Sequence, residues 1–295
     1  MEPTFSIVIP TYNQSSLLKN AILSVVNQTY KNFEIIVIDN FSNDSTESVV
    51  KSFQTEKIKY FKKKNFGVIG KSRNEGINRS KGEWIAFLDS DDLWYSNRLD
   101  EIINFLRNNK SYEVLTSDEK IINKISNSEK IWKYGPYTEN FYKKLLIDGN
   151  CLSTSATVVK RKFIIDNNLL FSEDKNLVTV EDYDFFLKLA LKDARFKFLH
   201  KVLGEHLFHP NSESFNFKKH KSAYESLINY HVFLIQKFTK NKEKLRKKLD
   251  IHIRFMEIFR FLKVEKKILF GSFLFIKYFI SDPINSILYI LKKFK

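Results

Sequence analysis

Apolar residues in the first hundred positions fall into two alternating patterns. Short runs suited to buried strands occupy residues 5–9, 33–38, 57–61 and 84–88. Between the first two, Leu17, Leu18, Ala21, Ile22, Val25 and Val26 form one stripe at helical spacing. After the second run, Asp44 with Glu47 three residues on resembles a capping arrangement for a helix reaching Phe53. Gly67 and Gly70 punctuate the loop after the third, before a helix over 72–79. Strand and helix alternating at such short intervals predict an α/β fold, with a mostly parallel central sheet and helices on both faces.

Further on, residues 99–106 read as a helix, 156–159 as a strand, 180–191 as a helix, and 196–199 and 203–208 as two short strands. Residues 110–149 have no regular period. After Pro210 the pattern lengthens into helices, interrupted by the basic stretch 237–248 and by Pro283. The predicted organisation is an α/β domain over 1–215, followed by a basic, aromatic-rich helical extension over 216–295. No internal repeat is evident.

Composition supports an ordered chain, since 43% hydrophobic residues over 295 positions suffice for a sizeable core. The single cysteine, Cys151, excludes an intrachain disulfide and a cysteine-ligated structural zinc, and suits a reducing, cytoplasmic compartment. One acid and no basic segment precede the first strand, which breaks at Pro10, so no signal peptide is expected. No apolar run approaches the length of about 18 residues that spanning requires.

Charge is uneven. From Lys240 onward the chain carries fifteen basic against five acidic side chains, so most of the net charge of +15 lies in the tail. The apolar run 268–276 is too short to span a bilayer and is followed by Lys277, while 284–291 ends in Lys292, Lys293 and Lys295. Apolar faces beside lysines predict helices lying on an anionic membrane surface, peripheral on the inner face of the cytoplasmic membrane. The alternative is a helical pair packed on the first domain with its lysines solvated. No nucleic-acid-binding motif accompanies the charge, so nucleic acid is not an expected partner.

The candidate chemistry sits where strands end. The run 84–88 stops at Asp89, Ser90, Asp91 and Asp92. Carboxylates so close repel one another, so they either sit in water as a solvated helix cap or are neutralised by a cation, for which hard oxygen ligands select Mg²⁺ or Mn²⁺. Asp39 likewise follows the strand 33–38. The carboxyl edge of a parallel sheet is where ligands bind, although an Asp there can equally cap the next helix.

Five segments stand out together: Ile7-Val8-Ile9-Pro10-Thr11-Tyr12-Asn13; Val37-Ile38-Asp39-Asn40 with Ser42, Asp44 and Thr46; Asn65, Gly67 and Arg73-Asn74-Glu75-Gly76; Leu88-Asp89-Ser90-Asp91-Asp92; and Glu181-Asp182-Tyr183-Asp184. Jointly they resemble the inverting family 2 glycosyltransferases with the GT-A (Rossmann-like) fold. The resemblance covers roughly residues 5–210 and implies transfer of a hexose from a nucleotide sugar, UDP-linked, to a hydroxyl of a glycan or lipid-linked oligosaccharide. It implies that Pro10, Thr11, Tyr12, Asn13 and Asp39 form the nucleobase site, with Asp39 accepting from a ring N–H and Tyr12 offering a flat surface unless it is core. Arg73 would face the diphosphate or ribose, or else be a plain surface arginine. Asp89 and Ser90 would lie near ribose and sugar, and Asp91 would ligate Mn²⁺ or Mg²⁺, with His209 completing the shell unless it is only a surface histidine.

Asp182 is similar to the catalytic base of that family. Its helix-start position predicts a dipole that keeps it ionised, with Glu181 orienting it or binding acceptor; ordinary helix-start acidity is the alternative for both. His206 and Leu207 replace an aromatic and an arginine common in the family, and Lys71 a small residue. Rival functions are a metal-dependent nucleotidyltransferase or phosphohydrolase, and a non-catalytic membrane-binding protein.

Overall fold

A computed structural model describes residues 2–209, 216–234 and 268–293, with single positions between 247 and 262. Over the first hundred residues β1 (Phe5–Thr11), α1 (Ser15–Val26), β2 (Phe33–Asp39), α2 (Thr46–Ser52), β3 (Ile58–Lys62), α3 (Ile69–Arg79) and β4 (Trp84–Phe87) follow the predicted alternation. They continue into β5 (Leu93–Trp94), α4 (Arg98–Asn108), β6 (Val114–Asn123), β7 (Ser128–Trp132), α5 (Phe141–Asp148), β8 (Thr157–Lys160), α6 (Arg161–Asp166), α7 (Glu181–Leu191), β9 (Phe196–Phe208) and α8 (Phe217–Asn229).

The strands form one nine-stranded sheet in the order β3-β2-β1-β4-β8-β6-β9-β5, with β7 pairing off β6. Neighbours from β3 to β4 are parallel, as are β6 and β9, while β8, β5 and β7 run antiparallel. Strands buried on both faces show why continuous apolar runs encode this half of the sheet. Ile7 and Ile9 of β1 point toward α1, α2 and α4, whereas Val8 between them points into the cluster that contains Ile77 of α3, α5 and α7. Gly76 lets α3 approach that face, because a Cβ there would come within 2.2 Å of Val8 Cγ1.

Three sequence expectations are corrected. The two short strands at 196–199 and 203–208 are one strand, β9, whose register with β6 shifts around Asp118. Residues 110–149 hide β6, β7 and α5 because β6 buries Thr116, Ser117, Asp118 and Glu119 and β7 is exposed throughout, so neither obeys an apolar period. Asp44 takes the first N–H of α2 from one residue before the N-cap Ser45, but Glu47 pairs with Lys51 and Lys62, so the expected reciprocal arrangement is not formed. The Asp44 Oδ1 accepts from Thr46 N–H at 3.0 Å and its Oδ2 from Ser15 N–H at 2.9 Å, which joins the starts of α1 and α2.

The boundary expected near 215 and the basic stretch 237–248 fall largely outside the described residues. Between them, Ala223, Tyr224, Leu227 and Ile228 of α8 are buried in the same cluster as α5 and α7. The fully buried His231, just past α8, places Nε2 2.9 Å from Asp184 Oδ1 of α7 and Nδ1 3.0 Å from the Tyr142 hydroxyl of α5. This part of the chain therefore shares the core of the sheet.

Candidate active site

β1 and β2 are in register as far as Thr11 and Asp39, which brings the two loops that follow side by side. The Asp39 side chain is fully buried. Its Oδ1 accepts from the Ser42 N–H at 3.0 Å and hydroxyl at 2.6 Å, and its Oδ2 accepts from the Tyr60 hydroxyl. Asn13 N–H donates to Ser42 Oγ at 2.8 Å and Asn43 N–H to Asn13 Oδ1 at 2.9 Å, stitching the loops together. The next loop joins them through Asn65 N–H, which donates to Asn40 Oδ1 at 2.8 Å. At their mouth Tyr12 is exposed, so it is not core, and Thr11 Oγ1 is buried without a hydrogen-bond partner. A buried unpartnered hydroxyl at a strand end is suited to meeting a ligand.

One arginine gathers the rest. Arg73, buried in α3, donates from Nη2 to Asp89 Oδ1 at 2.7 Å and from Nη1 to Glu181 Oε1 at 2.6 Å, with its guanidinium 5.3 Å from the centre of the Phe171 ring. Burial alone would lower its pKa, but Asp89 and Glu181 outweigh that and hold it above the usual arginine range. Arg73 thus bridges α3, the end of β4 and the start of α7. The turn into α7 is strained: Thr179 is β-branched yet has φ of 88°, and its N–H donates to Glu181 Oε2 at 2.9 Å.

Asp182 stands at the start of α7, as expected, but its acidity is reversed. Burial beside Glu181 pushes its carboxyl up to about 7, outweighing Arg73 and the backbone N–H of Tyr183 at 2.7 Å. The helix-dipole argument omits the desolvation that dominates here.

The acidic turn divides into distinct tasks. Ser90 Oγ donates to Gln14 Oε1 at 2.5 Å, facing the loop after β1. Asp91 Oδ2 lies 3.0 Å from His209 Nε2, and burial together with Asp92 and Asp89 pushes the Asp91 carboxyl up to about 6. A carboxyl crowded by like charges and facing an imidazole is a donor set that suits a divalent cation, which Asp91 and His209 would hold. Two such donors would leave the remaining positions to water and phosphate oxygens. Among the described residues no cluster of three or more His, Cys, Asp or Glu suited to a metal occurs.

Asp92 is bound inside the protein. Its Oδ2 accepts from Ser155 Oγ at 2.5 Å and lies 3.1 Å from His206 Nδ1, and its Oδ1 accepts from Leu207 N–H at 2.9 Å. Asp92 accordingly pushes the His206 imidazole up to about 10. His206 and Leu207 thus pin β9 to the acidic turn and bring His209 to Asp91. The Ser155 Oγ also accepts from the Asp89 N–H at 3.1 Å, so one hydroxyl holds both ends of the acidic turn. Sequence reasoning missed Ser155, Tyr60 and Gln14, which carry no local signal.

Replacing Arg73 by Met is expected to cost about 3–5 kcal/mol, because the buried Glu181 and the partly buried Asp89 lose their common counter-charge. Urea unfolding measures it. A drop in nucleotide affinity with unchanged stability would assign Arg73 to ligand binding alone.

Residues 6–166 match the model of the family described as glycosyl transferase family 2. The chain is 35% identical over 189 residues to WfgD of Escherichia coli, named UDP-Glc:alpha-D-GlcNAc-diphosphoundecaprenol beta-1,3-glucosyltransferase, covering 64% of this chain and 70% of that protein. In structure it resembles TarS of S. aureus solved with UDP-GlcNAc, at a TM-score of 0.64 and 21% identity over 90% of this chain and 76% of that one. It also resembles the mannosyltransferase PcManGT of Pyrobaculum calidifontis solved with GDP-Man and Mn²⁺, at a TM-score of 0.61 and 14% identity over all of this chain and 81% of that one. These two likenesses establish the GT-A fold.

Proposed function

The chain belongs to glycosyltransferase family 2, and from that premise we propose that it transfers a hexose from a UDP-sugar to a hydroxyl of a lipid-linked glycan, with inversion and with Mn²⁺ or Mg²⁺. Family membership displaces the phosphohydrolase and nucleotidyltransferase alternatives. The observation that carries the reading is the convergence of Asp39, Asp89, Asp91 and Asp182 on one edge of the sheet, with Arg73 fixing the last elements to each other. The relative WfgD, whose name gives a UDP-glucose donor and a diphosphoundecaprenol acceptor, supports the choice of donor and of acceptor class.

In this reading Asp39 and Tyr12 take the nucleobase, one by accepting from a ring N–H and the other by stacking. Thr11, Asn13 and Pro10 shape the same pocket, and Asp89 with Ser90 faces ribose and sugar. Asp91 and His209 would hold the divalent ion, whose chemistry is to offset negative charge on the departing diphosphate. Asp182 takes the proton of the acceptor hydroxyl as its oxygen attacks the anomeric carbon from the face opposite the leaving group. Glu181, tied to Arg73 and to the Thr179 N–H, positions that base. The tail rests on an anionic membrane surface, where a lipid-linked acceptor resides.

Isothermal titration with UDP, with and without Mn²⁺, tests the reading. Binding that requires the metal is expected, and absence of nucleotide binding under both conditions would overturn it.

A further inference from the structure

The helix Ile268–Ser281 has two apolar faces, and one of them is covered. Leu274, Phe275 and Tyr278 pack inward with Phe255, Ile258 and Tyr289. On the other side Leu269, Phe273, Ile276 and Ile280 are 90%, 59%, 57% and 74% exposed. Their spacing of four, three and four residues makes one continuous stripe. Ile287 and Leu291, one turn apart on the helix Pro283–Lys293, are also exposed. An apolar surface of this extent marks a contact surface, not a scatter of exposed residues.

A chain of contacts fixes where this helix lies. The Tyr278 hydroxyl donates to Glu257 Oε2 at 3.3 Å, and the same oxygen accepts from Lys221 Nζ of α8 at 3.2 Å. Next to Lys221, His220 Nδ1 lies 3.1 Å from Thr179 Oγ1, in the strained turn that holds Glu181 and opens α7. The striped helix is therefore tied to the Asp182 end of the site. The loops after β2 and β3 belong to the opposite, Asp39 end.

We propose that this stripe docks on a leaflet of anionic phospholipid and that the docking delivers a lipid-anchored acceptor to the Asp182 end of the site. This rests on the acceptor class proposed above. The occupant follows from charge. The chain from Lys240 onward holds fifteen basic and five acidic residues, and each basic residue near an anionic surface contributes about 1 kcal/mol. A second copy of the chain would instead set +15 against +15. The geometry is that of a helix lying in the interface: 14 residues extend about 21 Å, short of the roughly 30 Å hydrocarbon core. Among the described residues no helix is long and apolar enough to cross a membrane.

The test is flotation of the full chain with vesicles of phosphatidylglycerol and phosphatidylethanolamine, compared with phosphatidylcholine alone. The wild type is expected to float with the anionic vesicles about tenfold more than with the neutral ones. The double variant Phe273→Glu, Ile276→Glu is expected to stay below while binding UDP and Mn²⁺ as the wild type does, which shows that it is folded. Equal flotation of wild type and variant overturns the dock, as does a wild type that sediments as a dimer and is made monomeric by the variant. Hydrogen exchange on the anionic vesicles reads the orientation: protection over 268–281 is expected, and protection confined to 41–44 and 63–67 overturns it. Failure of the wild type to bind UDP would strike the donor reading and is scored separately from flotation.

Discussion

An Asp182→Asn chain is expected to lose transfer by about 10²–10⁴-fold while binding UDP with nearly the wild-type affinity. The amide preserves the shape of the side chain and its place at the start of α7, but it cannot accept the proton of the acceptor hydroxyl. The pH profile carries the finer test. Asp182 titrates near 7, so the fraction able to act as base rises through neutrality, and wild-type turnover is expected to climb between about pH 6 and 8. Residual turnover of the variant should lack that rise.

Stability gives an independent reading of the same group. A carboxyl whose folded pKa lies above its unfolded value of 3.8 binds its proton more tightly in the native state. Its contribution to stability is therefore fully present below about pH 4 and is lost as pH rises through 7. The Asn variant is freed from that loss, so its melting temperature should exceed the wild type's at pH 8 and approach it at pH 4. A variant equally stable at both values, with UDP affinity reduced in step with turnover, would place Asp182 in donor binding instead.

What the sequence reveals and conceals follows from range. Strands β1, β2 and β4 are buried on both faces, so each reads as an apolar run whose end is marked by Thr11, Asp39 or Asp89. These local signals place half the site. The Arg73 clamp is invisible locally because its partners lie 16 and 108 residues away and meet it only when α3 and α7 pack on the same face. Asp92 illustrates the same limit: beside Asp91 in sequence, it turns inward to Ser155 and β9, while Asp91 faces His209. Spacing cannot separate two adjacent carboxylates that burial sends in opposite directions. The sign of the Asp182 shift is hidden for a related reason, since a helix terminus is legible in sequence and desolvation is not.

Asp91→Ala is expected to abolish the Mn²⁺-dependence of UDP binding and to lower transfer by at least about a hundredfold, consistent with the several kcal/mol a metal contributes at a developing anionic leaving group. The route differs from that of Asp182, so the two variants separate binding from chemistry. Without metal, Asp91 is a burdened residue: burial and the neighbouring Asp92 and Asp89 all oppose its charge. Removing it should leave the metal-free protein as stable as the wild type or more so, which distinguishes loss of a ligand from loss of the fold. His209→Ala should weaken the same metal response less, because an imidazole nitrogen is replaced by water more readily than a charged oxygen. Retention of the full Mn²⁺ response in Asp91→Ala would move the cation off this turn. Asp92, through its contacts with Ser155, His206 and Leu207, would still anchor β9, and Asp89 would still hold Arg73, so the acidic motif would keep its structural tasks without the metal.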